Sequence, residues 1–338
     1  PYSTLLNILI SEVNQGFIDT MKILDRGRIS IAALAVGLGY GALDMALQYA
    51  RDRKQGSSIK EWKNPEAPRV AIIEHPNVRR DLLEMKSKVE GMRALITKLA
   101  VHADRLKAIG AKDDASAAYH QGQIDLLTPL VKAYCSDEAY RVCEKAIQVY
   151  GGAGYLKDWP VEQYARDSKI FSIYEGTNGI QALDLVGRKL GQGGGKNTQA
   201  FLGDVQKWIG ANKEHPDLKD SVANLQKAHE AVGASVMQFL GWFQAQKMPN
   251  ITLMAERFLH MMSKLAIGWL LLDGAAIAIE KLNAGGLSER DRAYYEGKKF
   301  SGIYYAMNIV PEVIGDAKTL RACDESPVSI ADSAFGPT

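Results

Sequence analysis

The chain has 338 residues, enough for about two domains, and its 46% hydrophobic and 24% charged residues are the balance of an ordinary globular protein. A net charge of +2 gives no reason to expect a nucleic-acid or anionic-membrane partner. The three cysteines, Cys135, Cys143 and Cys323, are odd in number and far apart, which argues against a disulfide framework or a cysteine metal site and fits a reducing compartment; the cytoplasm, or the mitochondrial matrix in a eukaryote, is the expected location.

The sequence opens on Pro1 with Leu5, Ile8, Leu9 and Val13 in a strand-like pattern. Residues 1–13 are expected to be the tail of a preceding β-domain, the N-terminal part of a longer protein. From Ile29 to Ala50 runs an apolar, alanine-rich helix whose Gly37, Gly39 and Gly41 suggest tight packing, since glycine otherwise weakens a helix. Ser57 to Pro68 is polar, contains two prolines and reads as a loop. Pro76 suits a first helical turn. Val78, Leu82, Met85, Val89, Met92, Ile96 and Leu99 then recur at spacings of three and four, which is one apolar helix face.

A further helix is predicted over Asp114 to Tyr150, kinked or restarted at Pro129, with Leu130, Tyr134, Val142, Ala146 and Val149 as its stripe. Gly151-Gly152-Ala153-Gly154 breaks it. Pro160 reopens a helix expected to end near Tyr174, and Glu175-Gly176-Thr177-Asn178 is a second break. Asn178 with Gln181 reads as a capping pair for a helix to Leu190. Glycines 191 and 193–195 form a linker. Beyond it, helices are predicted near 198–212, 217–245, 251–283 and 289–314, followed by an irregular tail after Ala317. The longest apolar run, Leu265 to Ile279, is interrupted by Gly268, Asp273 and Gly274 and reads as a buried helix. Strand signals are confined to the first 15 residues. The expected fold is all-α: an up-down helical bundle over 14–190, then a second helical extension over 196–338.

No HExxH, Walker lysine loop or GxSxG occurs, and the histidines, at 75, 102, 120, 215, 229 and 260, show no metal spacing. No metal is expected, and the histidines read as surface or capping residues. The chemistry-bearing residues concentrate between Gln148 and Gln181, where two glycine-rich breaks are surrounded by Tyr155, Asp158, Trp159, Tyr164, Arg166, Asp167 and Tyr174. Glycine turns and helix N-termini present N–H groups that hold anions. Glu175, in a tight loop between helices, could point into a cleft as a base. On composition alone, a solvated loop glutamate among glycine C-caps is the favoured reading.

The strings Ile147-Gln148-Val149-Tyr150-Gly151-Gly152-Ala153-Gly154-Tyr155, Pro160-Val161-Glu162, Arg166-Asp167 and Ile173-Tyr174-Glu175-Gly176-Thr177-Asn178-Gly179-Ile180-Gln181 resemble, in order and spacing, the signature region of the acyl-CoA dehydrogenases. Gly16-Phe17, Met21, Leu24-Asp25 and Arg28 resemble the start of that family's C-terminal helical domain. The extension, through Tyr294-Tyr295-Glu296-Gly297-Lys298 and Val310-Pro311, is similar to that of the 3-methylmercaptopropionyl-CoA dehydrogenase-like branch. The resemblance implies oxidation of an acyl-CoA to its trans-2-enoyl thioester, with FAD as hydride acceptor and Glu175 as the base that takes the α-proton. In some relatives the base lies at the position of Gly27, where glycine cannot serve. By the same resemblance, Arg53, Gln148 and Gly152 hold the flavin of a neighbouring subunit, Thr177 touches FAD in its own subunit, Asp25 and Arg28 bind acyl-CoA, and Tyr174 lines the thioester site. A homodimer or homotetramer and an electron-transferring flavoprotein are the implied partners. Two stretches depart from the family pattern: Arg53-Lys54 leads to Gln55-Gly56 rather than to an aromatic residue, and Glu74-His75 leads to Pro76 rather than to a flavin-contacting glutamine.

Two non-catalytic alternatives concern the extension. DNA binding would need clustered cations, yet residues 188–338 hold 17 Lys and Arg against 16 Asp and Glu. Membrane attachment through helix 251–283 would want a basic flank, which the sequence lacks.

Overall fold

The computed structural model describes residues 15–110 and 114–336, so the expected strand within 1–13 lies outside the described residues. Three long helices build the first half: α1 (Gly16–Asp52), α2 (Pro76–Ile109) and α3 (Asp114–Tyr150). The shorter α4 (Val161–Ser168) and α5 (Asn178–Asp184) follow. The second half contains α6 (Lys196–Asn212), α7 (Lys219–Gln244), α8 (Met248–Ala284), α9 (Glu289–Asn308), α10 (Glu312–Ala322) and the single turn α11 (Ser326–Ser329). The all-α expectation holds, and the irregular tail instead begins with α10, whose Val313, Ala317 and Leu320 are buried.

The exception is a short antiparallel hairpin, β1 (Lys54–Ser57) with β2 (Arg69–Ala71), in the segment read as a loop. Neither strand alternates in polarity, so the sequence carries no period to find. The pairing is tertiary in origin: the Ile72 N–H donates to the Arg53 carbonyl at 2.8 Å, and His75 Nε2 meets the Gln55 carbonyl at 2.6 Å.

Two helices are buried nearly all round. In α3, Leu126, Leu127, Leu130, Val131, Ala133, Tyr134 and Cys135 are all sequestered, because α1, α2, α5, α6 and α8 surround it. Such a helix has no distinct polar face, and α3 also continues through Pro129 as one element. Helix α8 plays the same part in the second half, where Phe258 to Trp269 lies almost wholly inside except for the partly exposed His260. Both α8 and the segment Gly27–Asp52 of α1 are long and apolar enough to cross a membrane by length and composition. For α8 the core accounts for that character, with 67% of its most apolar window buried.

The larger hydrophobic core runs from α1 to α10, and a small second cluster lies around Phe171. Close helix contacts fall at glycines other than those singled out in α1. A Cβ on Gly91 would sit 2.3 Å from Ile267, bringing α2 against α8, and one on Gly302 would sit 2.6 Å from the Leu271 carbonyl oxygen, bringing α9 against α8. Gly37, by contrast, faces open space.

Two polar pairs cross this core. Tyr134 of α3 and Tyr305 of α9 share a hydrogen bond of 2.9 Å between hydroxyls that are fully buried, and burial holds both phenols well above their ordinary pKa. His102 of α2 and His120 of α3, expected at the surface, are buried with their Nδ1 atoms 2.8 Å apart. Burial, helped by the charge of Lys98, lowers the His102 pKa from 6.5 to about 4.

Two outcomes are expected. Tyr305→Phe strands the Tyr134 hydroxyl in the core and should cost about 1–3 kcal/mol, whereas Tyr134→Phe with Tyr305→Phe should recover most of that loss; urea midpoints of the three variants measure the difference. For His102 the folded pKa lies below the unfolded one, so the unfolded chain takes up the extra proton. Stability is then complete above about pH 6.5 and falls toward pH 4, by about 2 kcal/mol at pH 5. A urea series between pH 7 and pH 5 should show this slope, and His102→Gln should flatten it.

Candidate active site

Helix α4 passes into a tight 3-10 turn, Lys169–Ser172, whose Phe171 is buried against Ile31 and Ala35 of α1 and Ala139 of α3. Tyr174 packs on the same cluster, its ring 6.0 Å from that of Phe171. The helix expected to reach Tyr174 therefore ends at Ser168 and gives way to this turn. The chain then reverses through two left-handed residues, Glu175 (φ 56°) and Gly176 (φ 86°). Glycine adopts that conformation freely, but for a glutamate it is strained, and such strain persists where the surroundings fix the backbone. Thr177 closes the turn by capping α5, its Oγ1 accepting the Ile180 N–H at 3.4 Å. The cap is thus Thr177 rather than Asn178.

Asn178 is buried and has a different task. Its Oδ1 accepts from Lys132 Nζ at 2.9 Å, and its Nδ2 donates to Asp137 Oδ1 at 2.8 Å and to the Ala133 carbonyl at 3.1 Å. Lys132, with no accessible surface, also donates to the Gly176 carbonyl at 2.7 Å. Burial pulls its ammonium pKa down to about 8, a fall that the nearby Asp137 carboxylate opposes. The turn carrying Glu175 is in this way tied directly to α3. Sequence reasoning missed Lys132. The available signal was its position inside Leu130-Val131 and Ala133-Tyr134, where a solvated lysine is out of place.

The Glu175 carboxylate itself is half-buried and accepts no hydrogen bond among the described residues. It lies close enough to Tyr174 to help burial raise that phenol's pKa. Arg28 is buried, with Nη2 3.7 Å from where a Cβ on Gly176 would lie. Beneath the turn is Gln181, fully buried, whose carboxamide has no partner among the described residues. Gly27 faces open space, and Asp25 sits on α1 with its side chain outside the described residues. The fold therefore gathers Glu175, Tyr174, Thr177 and Arg28 in one place.

Arg53, Gln148 and Gly152 lie elsewhere. Arg53 follows the last turn of α1, about 37 Å along the helix from Arg28. There α1 and α3 end side by side, with Tyr49 stacked on Tyr150 at 4.1 Å and Trp159 against both rings. Arg53, Gln148 and Gly152 are exposed at this end, and Gly151 turns the chain with φ 62°. The departures at Gln55-Gly56 and His75-Pro76 meet in the adjoining hairpin, where His75 approaches both Gln55 and Gly56.

The family model for the acyl-CoA dehydrogenase C-terminal domain matches residues 14–190. The chain belongs to the acyl-CoA dehydrogenase family. A second model, acetyl-CoA dehydrogenase C-terminal like, matches residues 201–331. The broad-specificity linear acyl-CoA dehydrogenase FadE5 of Mycobacterium tuberculosis is 34% identical across 97% of this chain and 54% of its own length. The 3-methylmercaptopropionyl-CoA dehydrogenase of Ruegeria pomeroyi is 31% identical across 92% of this chain and 51% of its own. The fold matches a crystal structure of an acyl-CoA dehydrogenase from Bacillus anthracis complexed with FAD, with a TM-score of 0.68 at 19% identity over 94% of this chain and 52% of that one. The chain spans about half the length of the curated relatives it matches. Within the family frame, the turn at Glu175 connects the 3-10 segment to α5, and the glycine break at 151–154 ends α3.

The left-handed glutamate gives an expected trade. Glu175→Gly removes the backbone strain and should raise stability by roughly 0.5–1 kcal/mol, the αL cost less the flexibility glycine adds to the unfolded chain. Thermal or urea unfolding of the variant checks it, and a loss of stability would show that the Glu175 side chain holds the turn.

Proposed function

We propose that this chain supplies the base of a flavin-dependent acyl-CoA dehydrogenase, with Glu175 removing the α-proton of an acyl thioester as the β-hydride departs, to leave the trans-2-enoyl-CoA. One observation carries the reading: a carboxylate that accepts no hydrogen bond among the described residues, held at φ 56° in a turn bonded to a buried lysine. A base must keep its lone pairs free and its position fixed, because proton transfer requires hydrogen-bond reach of the acid. Family membership supports the reaction, and the FAD in the Bacillus anthracis structure supports the cofactor.

The residues present fit FAD. At the Gly151–Gly152 turn, nothing stands within 4 Å of a Cβ on either glycine, and the exposed Arg53 and Gln148 share that end. A guanidinium, a carboxamide and uncrowded turn N–H groups form a donor set for a pyrophosphate. FAD, when bound, supplies the acceptor for the hydride. Thr177 stands exposed next to the base turn for contact with cofactor in its own subunit, and Tyr174 with Arg28 would line the thioester and acyl-CoA side. The two clusters lie about 37 Å apart on α1, too far to share one flavin ring. That separation supports a homo-oligomer, a dimer or tetramer, in which Arg53, Gln148 and Gly152 serve a neighbour. An electron-transferring flavoprotein is the proposed partner for reoxidation.

In the full-length protein, Glu175→Gln should retain FAD and acyl-CoA binding, because the amide is nearly isosteric. Flavin bleaching on anaerobic mixing with acyl-CoA should slow by ~10²–10⁴-fold or more, since an amide accepts no proton. Glu175→Asp should keep partial activity. Bleaching near the wild-type rate in Glu175→Gln would assign the base to another group.

A further inference from the structure

The hydrogen bonds that hold the Glu175 turn do not stop at α3. Asp137 divides its carboxylate between two donors from different halves of the molecule: Oδ1 accepts from Asn178 Nδ2 at 2.8 Å, and Oδ2 faces His260 Nε2 of α8 at 3.1 Å. His260 is itself seated by the Tyr134 ring, which lies edge-on at 5.3 Å. Following the bonds inward, Asn178 Oδ1 accepts from Lys132, and Lys132 donates to the Gly176 carbonyl next to the base.

We propose that His260, a residue of the helical extension, is a positioning residue for Glu175, acting through Asp137, Asn178 and Lys132. This rests on Glu175 being the base. The physical case is one of direction. A carboxamide has one acceptor end and one donor end. Asn178 must aim Nδ2 at Asp137 and Ala133 for Oδ1 to meet Lys132. A carboxylate with one oxygen fixed by His260 presents the other to Asn178 in a set orientation. Without His260, Asp137 can turn or draw the Lys132 ammonium toward itself, and the ammonium then leaves the Gly176 carbonyl. The strained φ of Glu175 is the conformation that depends on that bond. His260 lines an open cleft of about 620 Å³ between α3, α8 and α10, so its loss leaves no sealed void. The neighbouring contacts of α8 with α10, Arg257 with Asp316 at 2.6 Å and Lys264 with Glu312 at 2.8 Å, do not involve His260.

The test uses the full-length protein as wild type, His260→Leu and His260→Gln. Glutamine keeps a donor near the position of Nε2, and leucine does not. Amide hydrogen exchange in a peptide covering residues 173–182 should accelerate about tenfold in His260→Leu, as expected for loss of one bond to a charged group, and return near wild type in His260→Gln. Peptides from α2 and α6 should not change. In parallel, acyl-CoA-induced flavin bleaching should slow about tenfold in His260→Leu, with acyl-CoA affinity unchanged and the isotope effect on the α-hydrogen larger. Unmoved exchange at 173–182, equal exchange in the Leu and Gln variants, or a uniform rise across all helices each overturns the proposal. If the loop loosens as stated but the wild-type protein never bleaches with any acyl-CoA, positioning stands and the dehydrogenase reading fails. If bleaching is normal and lost only in Glu175→Gln, while loop exchange ignores His260, the reading stands and the positioning role fails.

Discussion

A buried ammonium has to find acceptors, and Lys132 finds them in the turn that follows Glu175. Desolvating a charge is costly unless hydrogen bonds replace the lost water. Here the replacements are the Gly176 carbonyl and the Asn178 carboxamide. The bond therefore works in both directions. It makes the lysine tolerable inside α3, and it fixes a turn that would otherwise relax out of the left-handed region. Its strength comes from the same low-dielectric surroundings that lower the lysine's pKa to about 8. The remaining architecture serves that placement. Helix α3 is enclosed by its neighbours, so groups on its flank have little freedom, and strain at Glu175 can persist because the packing around it is settled.

The same two helices present both candidate regions. Near the start of α1 lies Arg28 beside the Glu175 turn; at the far end Arg53 stands next to Gln148 and Gly152, where α3 stops. A rigid pair of helices thus sets the distance between the proposed base and the proposed cofactor surface without a connecting loop. The extension adds a second constraint. Its α8 packs against α2 of the bundle at Gly91, and its tyrosine at 305 pairs with Tyr134 only two residues from Lys132. The second half is thereby in a position to influence the first through packing as well as through His260.

How much of this was legible depended on whether a residue's neighbours are local. Helix α2 reads directly, because one face is buried and Val78 to Leu99 repeat at helical spacing. The boundaries of α3 and its buried stripe also read correctly, but burial on its other sides was not legible, and the restart suggested by Pro129 does not occur. The hairpin at 54–57 and 69–71 has no period, since its pairing is made by backbone groups and His75. Helix α10 was overlooked although Val313, Ala317 and Leu320 carry the right spacing over a short span. The Glu175 turn was legible as a glycine break, but the role of its glutamate came from the resemblance to a family, not from propensity. Asn178 was read as the cap that Thr177 provides because a threonine and an asparagine are both good caps, and only the position of Lys132 decides between them. Lys132, His260 and the His102–His120 pair were invisible for one reason: a polar residue in a sequence reads as solvated until its partner, tens of residues away, is placed.

The central claim is that the Glu175 carboxylate meets the α-carbon of an acyl thioester. The most direct measurement is a crystal structure of the full-length protein with FAD and a bound acyl-CoA that does not turn over. A Glu175 oxygen within about 3–3.5 Å of the thioester α-carbon, with the turn still at left-handed φ, is the result expected of a base in position to react. An α-carbon lying against another carboxylate or histidine, with Glu175 turned to solvent, would contradict it.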